Sequence, residues 1–497
     1  MLSLAVIGIS IVALVAIYKY LIVPVVLSPL SKIPNAHFSV PVLPLWMWWK
    51  RRKGVQNQTI RALHQKLGPI VRLGPWEISV NSANGLRTIY VSGAFEKTSW
   101  YRDLFQNYNV SNLVSMEAHE PHSIQKRMIS NVYSKSYVQN SRDLAKISEI
   151  IVLEKLLPLL NDLAERHAPV NVLSLNKGIG MDFTTAYLFG VENGTNFVSD
   201  SDYRDRWLDN YEQFKQQLPK DRAFGPIEQW CLDLCKAAEA YSSGRKVALS
   251  EKSTPPVVHR QLWESIRRQK RPQPADASIV VASEMLDHIV AGHETTGITM
   301  TYLMYEMSRC PDIMASLRGE LCRLSHPIRL SQCSSSTLPS PQEIDKLPLL
   351  DAIIRETLRL YPAAPSPQPR ISHSKSVVVE GYKVPNGVTV SSSAYTLHRN
   401  PDVFSDPERW IPSRWLQTET TQLKEMHRWF WAFGSGGRMC LGSNLAIQEL
   451  KLVAAAVYSN FTTFIIDDEG IEQSDSPIGG PVSNKLILGF NPCCHVI

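Results

Sequence analysis

The chain has 497 residues, 44% apolar and 20% charged, with 32 prolines and no low-complexity tract or visible repeat, a composition that excludes disordered, collagenous and solenoid classes and suits a large globular core. Its formal charge of +6 is small for that length and is not gathered into a stripe interleaved with aromatics; this argues against nucleic acid as a partner and suits work beside an anionic membrane or an acidic protein. The eight cysteines form neither a regular framework nor a paired C-x-x-C arrangement, so free thiols in a reducing compartment are expected and structural zinc is not.

Residues 2–18 carry no charge, and after Lys19 the apolar run resumes to Leu27, broken only by Pro24. With Lys19 snorkelling toward the headgroups this can span a bilayer. No basic residue precedes the run and no small-x-small site closes it, so residues 1–27 are read as a retained single-pass anchor rather than a cleaved signal. Lys32 and the group Lys50, Arg51, Arg52 and Lys53 follow it, which places the body of the chain on the cytosolic side. The stretch "WMWWKRRK" (46–53) mixes indoles with cations as an interfacial segment does, and 28–54 reads as a proline-rich, basic linker ahead of one domain over 55–497.

In the body, "PIVRLGPWEISVNS" (69–82) predicts two short strands about Gly74-Pro75. Helical spacing then dominates in "HSIQKRMISNVYS", "ISEIIVLEKLLPLLNDLAERH", "YRDRWLDNYEQFKQQL" and "PIEQWCLDLCKAAEAYSSGRK". A long helix is predicted over 278–309, ending before Pro311, and another over "EIDKLPLLDAIIRETLRLY", stopped by Pro362. The insert at 325–342, rich in serine and proline, reads as a surface loop. Strand alternation returns at 376–392 with Asn386-Gly387 as its turn, and "SNLAIQELKLVAAAVYSNF" closes the helical set. The fold class is mainly α with a smaller β region.

Two stretches carry chemistry. "AGHETTG" (291–297) is not a zinc-hydrolase helix, because the position four after His293 is Gly297 and the second imidazole is missing. "FGSGGRMCLG" (433–442) is not a phosphate loop, because Ser443 stands where the lysine belongs and Met439 spoils a G-x-G-x-x-G start at Gly434. What remains is Cys440 in a glycine-rich turn before a helix, where backbone amides can stabilise a thiolate suited to haem iron.

The spacing F-x-x-G-x-R-x-C-x-G, met by Phe433, Gly436, Arg438, Cys440 and Gly442, resembles the haem-ligand signature of the cytochrome P450 superfamily. That resemblance implies a cytochrome P450 fold and haem b ligated by Cys440. It aligns Ala291, Gly292, Glu294 and Thr295 with the family's A-G-x-[ED]-T: the small pair leaves room for dioxygen, Thr295 supplies a hydroxyl and Glu294 delivers protons. It makes Glu356 and Arg359 an ion pair completed by Arg414 of "IPSRW", with Arg409 of "PERW" as rival.

His122 and Lys126, with Arg127 adjacent, fall on the family's propionate-binding pattern, the lysine departing from the usual arginine; Arg370 matches a further propionate ligand. By family position the substrate pocket is lined from 95–113, 207–214, 363–368 and 477–480 and by Met285, His288 and Ile289 of the long helix. The order of segments is most similar to fungal microsomal members. It implies a monooxygenase in the endoplasmic-reticulum membrane, acting on an apolar small molecule in secondary metabolism. Electrons would come from NADPH through a separate cytochrome P450 reductase or cytochrome b5. A haem-thiolate isomerase or dehydratase and a haem-binding sensor are the alternatives.

Overall fold

A computed structural model describes residues 2–92, 95–216, 225–242, 252–268, 276–330, 338–374, 376–417 and 420–493. The N-terminal helix Leu2–Ile17 continues through wider turns over Tyr18–Leu27, where Pro24 removes a backbone donor. Val6–Leu27 is, among the described residues, the one helix long and apolar enough to cross a membrane, and its length is not buried against the body. The buried Arg72 ties the end of this helix to the domain: it donates to the Pro24 carbonyl at 2.9 Å and also to the carbonyls of Gly74 and Pro75. Residues 28–54 fold back onto the body, with Leu30 and Ile33 under the first sheet and Met47 packed on Ile60, Val71 and Leu73.

Ten strands follow in chain order: β1 (Ile70–Gly74), β2 (Glu77–Val80), β3 (Phe95–Lys97), β4 (Val170–Asn171), β5 (Arg370–Ser372), β6 (Ser376–Val379), β7 (Tyr382–Pro385), β8 (Thr389–Ser391), β9 (Phe461–Asp467) and β10 (Ile487–Pro492). They form a five-stranded sheet in the order β1-β2-β8-β5-β3, a three-stranded sheet β4-β10-β9 and the hairpin β6-β7. The expected β1–β2 pair is present, with Ile70 opposite Val80. The turn expected at Asn386-Gly387 is present between β7 and β8, but it does not close the β6-β7 hairpin. The hairpin closes at Glu380-Gly381, where φ is +49° and +80°, and Gly387 instead leads the chain into β8 of the larger sheet.

The predicted long helix runs Ala277–Arg309, capped by Asp276 and ended where Pro311 opens the next helix. The helix expected over 343–361 is two, Pro341–Asp345 and Pro348–Leu360: Pro348 can take the first position of a helix but cannot lie inside one. Residues 331–337 of the predicted surface insert lie outside the described residues. The largest apolar cluster surrounds the central helix, which packs closely on Val172–Phe189 through glycines. A Cβ on Gly297 would lie 2.8 Å from the Lys177 nitrogen, and one on Gly180 3.1 Å from His293 Cα.

Beside this core Glu356 is completely buried and accepts five donors: Arg359 Nε and Nη2 at 2.9 and 2.8 Å, Arg414 Nε at 3.1 Å, Trp415 Nε1 at 2.8 Å and the Ile411 N–H at 2.9 Å. Arg409 contributes its carbonyl, which accepts from Arg359, while the residue itself is exposed. Removing one partner of a buried ion set strands the charge it faced. Arg414→Met is therefore expected to lower unfolding stability by about 3 kcal/mol, against a change within about 0.5 kcal/mol for Arg409→Met. Urea midpoints at constant slope measure both, and equal losses would contradict the assignment.

Candidate active site

The cysteine loop is shaped by what its glycines permit. Gly436 has φ of +66°, and a Cβ there would lie 2.1 Å from the Tyr90 carbonyl oxygen, so no other residue fits without moving the backbone of the helical segment Arg87–Ser92. The turn returns the chain so that the Cys440 N–H donates to the Phe433 carbonyl at 2.9 Å. The thiol faces the N–H groups of Gly442 and Ser443, where the helix Ser443–Asn460 begins. Burial pushes the thiol up from its ordinary value; those two amides and Lys126 pull it back toward the thiolate. A Cβ on Gly442 would meet nothing within 4 Å.

Cys440 is exposed although it sits deep in the chain's interior, so it borders an internal cavity. The central helix supplies a matching face. Between Val281 and Met304 the residues that are not buried are His288, Val290, Ala291, Gly292 and Thr295, a stripe at helical spacing. Asp287, one turn before Ala291, acts electrostatically on the Cys440 thiol, which places stripe and cysteine about the same space. Burial and the neighbouring Glu284 hold the Asp287 carboxyl up at about 7.

One end of the cavity is strongly cationic. Lys97 of β3 stands directly opposite Arg370 of β5, and Arg438 of the cysteine loop joins them. Their bonds run to neutral groups: Lys97 to the Val114 carbonyl at 2.6 Å, Arg370 to the Tyr101 hydroxyl at 2.6 Å, and Arg438 to the carbonyls of Met116, Glu117 and Ala118 at 2.8 Å. Burial, then the other two cations, depresses Lys97; burial and Arg370 bring Arg438 down to about 10. His122, buried beside Arg438, Lys97 and Lys126, is held neutral. Asp287 acts on Lys97 and Glu96 on Arg438, but among the described residues none of the three cations forms a direct ion pair with a carboxylate, and three cations so close together call for a further anion. A haem, with two acidic side chains and an iron for the thiolate, fits this donor set.

Each expected site residue has a place. Lys126 donates to the Gly437 and Met439 carbonyls at 3.0 and 2.9 Å, on the cysteine loop, whereas Arg127 is exposed. Thr295 Oγ1 donates to the Ala291 carbonyl at 2.8 Å. Glu294 turns away from it, accepting from Tyr211 Oη and Lys215 Nζ, both at 2.9 Å. Burial opposes its charge, but Lys215 overrides that and holds the carboxyl below its ordinary value. Lys215 also pairs with the half-exposed Glu212, so a chain of ionisable groups leads from Glu294 to the surface.

Four expectations are corrected. Gly292 does not make room for oxygen by lacking a side chain: a Cβ there would point at Thr184 Oγ1, 2.2 Å away, so the missing Cβ serves helix packing, while Ala291 is the more exposed of the pair. Met285 and Ile289 are fully buried in the apolar core: Ile289 lies on the far side of the helix from Ala291, and Met285 falls in line with Gly292, on the face that packs against Val172–Phe189. His288 has both ring nitrogens engaged, with Tyr133 Oη at 2.9 Å and Glu284 Oε1 at 3.2 Å, and is not free to bind substrate. Arg127, as above, is exposed, and it is Lys126 that bonds to the loop. Sequence reasoning missed Lys97, Tyr101, Glu284 and Asp287; of these only Asp287 carried a signal, an acid four before Ala291.

The helix-capped cysteine, the cavity and the cations short of an anion define a haem-thiolate protein. The chain belongs to the cytochrome P450 family, whose model matches residues 34–487. It is 28% identical to the cytochrome P450 monooxygenase avaI of Aspergillus versicolor over 427 residues, covering 80% of this chain and 96% of the relative. It is 25% identical to the fusicoccadiene C-8 hydroxylase of Phomopsis amygdali, covering 92% and 89%, and 26% identical to the cytochrome P450 monooxygenase FUS8 of Gibberella moniliformis, covering 88% and 83%. Membership implies haem iron with a cysteine thiolate, a redox partner and use of O2.

The packing account of Gly292 separates it from an oxygen-binding role. Gly292→Ala is expected to cost about 1–3 kcal/mol of stability through overpacking, and Thr184→Ala in the same protein to recover most of it. Urea unfolding of the single and double variants tests this; no recovery would return the glycine to the cavity.

Proposed function

We propose that this chain is a membrane-anchored monooxygenase that binds haem b through Cys440 and inserts one oxygen atom from O2 into an apolar small molecule in fungal secondary metabolism. The observation that carries it is the Cys440 thiol, capped by two helix amides, bordering the same cavity as Ala291 and Thr295. Residues 1–27 are the anchor, 28–54 the interfacial linker and 55–497 the catalytic domain. The anchor lies in the endoplasmic-reticulum membrane with the domain in the cytosol, in keeping with the basic residues that follow it. NADPH-cytochrome P450 reductase, or cytochrome b5, supplies electrons.

Haem b supplies the oxygen-activating chemistry when bound. The protein's part is to keep Cys440 anionic, to neutralise the propionates with Lys97, Arg370 and Arg438, and to move protons into a dry cavity. Thr295 presents its hydroxyl oxygen on the cavity stripe while its proton rests on the Ala291 carbonyl. Glu294 collects protons from the Lys215–Glu212 side and reaches Thr295 only by leaving Lys215.

Reduced protein in membranes is expected to show a strongly red-shifted Soret band with carbon monoxide, and Cys440→Ala to lose it; an unchanged spectrum in the variant would remove Cys440 as ligand. Thr295→Ala is expected to retain haem but to divert reducing equivalents to peroxide, lowering product per NADPH by about tenfold. Unchanged coupling would take Thr295 out of the mechanism.

A further inference from the structure

Residues 107–114 cross the first half of the central helix and are fastened to it through their own backbone. Ser283 Oγ donates to the Val110 carbonyl at 3.0 Å, Glu284 Oε2 accepts the Leu113 N–H at 3.1 Å, and Asp287 accepts the Val114 N–H. From the opposite side Lys97 Nζ donates to the Leu113 and Val114 carbonyls at 3.4 and 2.6 Å. Two consecutive residues thus have both N–H groups on carboxyl groups and both carbonyls on one ammonium. Glu284, Asp287 and Lys97 are all buried, at 0, 7 and 7% exposure.

Ion sets at such depth add little net stability, but removing one member is costly, and that makes the geometry hard to depart from. Glu284 is itself held from behind by Gln125 Nε2 at 2.9 Å and by His288, which in turn meets Tyr133. The clamp is therefore braced by the helix His119–Ile129, which also carries His122 and Lys126. Asp287 lies one turn before Ala291 on the cavity side, and Lys97 faces Arg370 across β3–β5.

We propose that Glu284 and Asp287 are positioning residues that lock 107–114 as a fixed wall of the substrate cavity, and that Lys97 is counter-ion both to this clamp and to the acidic groups of the cofactor. The wall excludes water and sets which apolar shapes fit, because an amide released from Glu284 or Asp287 would leave buried polar groups short of a partner. Loading the cofactor and forming the wall are coupled through one ammonium. The effect on substrate choice rests on the monooxygenase reading, whereas the effect on the backbone does not.

Hydrogen–deuterium exchange of the haem-loaded full chain tests it directly. In Asp287→Leu and Glu284→Leu, exchange at amides 113–114 is expected to rise about tenfold or more, with the carbon-monoxide band retained. Asp287→Asn, whose amide oxygen can still accept the Val114 N–H, is expected to stay within about threefold of the unsubstituted chain. Dodecanol, read by the spin-state shift of the Soret band, is expected to bind the leucine variants several-fold more weakly and the asparagine variant normally.

Lys97→Met is expected to raise the same exchange and lower haem per protein together; either change without the other overturns the shared counter-ion. If the leucine variants fail to load haem, Ser283→Ala takes their place, with exchange across 107–114 rising about threefold. Unchanged exchange in haem-loaded variants overturns the clamp. Absence of the carbon-monoxide band from the unsubstituted chain overturns the monooxygenase reading instead and leaves the exchange result to decide the clamp.

Discussion

The placement of Lys97 directly opposite Arg370 in the antiparallel pair β3–β5 is the constraint from which the site follows. Like charges facing each other across two strands repel, and here both are buried, with the part-buried Arg438 close by. A sheet assembled this way is tolerable only around an anion, so the protein carries the binding requirement of an acidic cofactor in its core rather than on its surface. Tyr90 and Tyr101 soften the cost, their ring faces lying 5.1 and 5.0 Å from the Arg370 guanidinium.

The second constraint is the close approach of the central helix to Val172–Phe189. Gly180, Gly292 and Gly297 let two backbones meet with almost nothing between them. That contact fixes the helix rotation, and rotation decides which residues face the cavity. Ala291 and Thr295 do; His293 faces the opposite way, its Nδ1–H on the Ile289 carbonyl at 2.7 Å and its ring perpendicular to Trp207. Burial holds that imidazole down at about 4, so it is neutral and cannot join the proton path beside it.

Much of this was legible in the sequence because it is local. The cysteine turn, the alternation of β1 and β2 and the central helix each depend on neighbours within a few residues, and the family resemblance paired Glu356 with Arg359 at a spacing one helical face allows. What stayed hidden depends on distance or rotation. Nothing near Lys97 announces that it pairs with a strand 273 positions later. Pro348 was read as internal when it begins a new helix, and the turn at Asn386-Gly387 was legible while the second one, at Glu380-Gly381, was not. Met285 and Ile289 were assigned to a helix face with His288 although both turn into the core, and Gly292 by the space it leaves rather than by what fills it.

The central helix separates two kinds of acid by the same rotation. Glu294 sits under Tyr211 and Lys215, where a cation close to the surface keeps it charged and exchangeable. Glu284 and Asp287 sit two to three turns earlier, under backbone amides, where their bonds are to groups that cannot leave. A carboxylate paired with a flexible lysine can move a proton, because the lysine can swing away and the acid remains solvated by its partner chain. A carboxylate paired with a peptide N–H can only hold the peptide. The chemical difference between carrying protons and shaping the pocket thus lies in the partner each acid is given, not in the acids themselves.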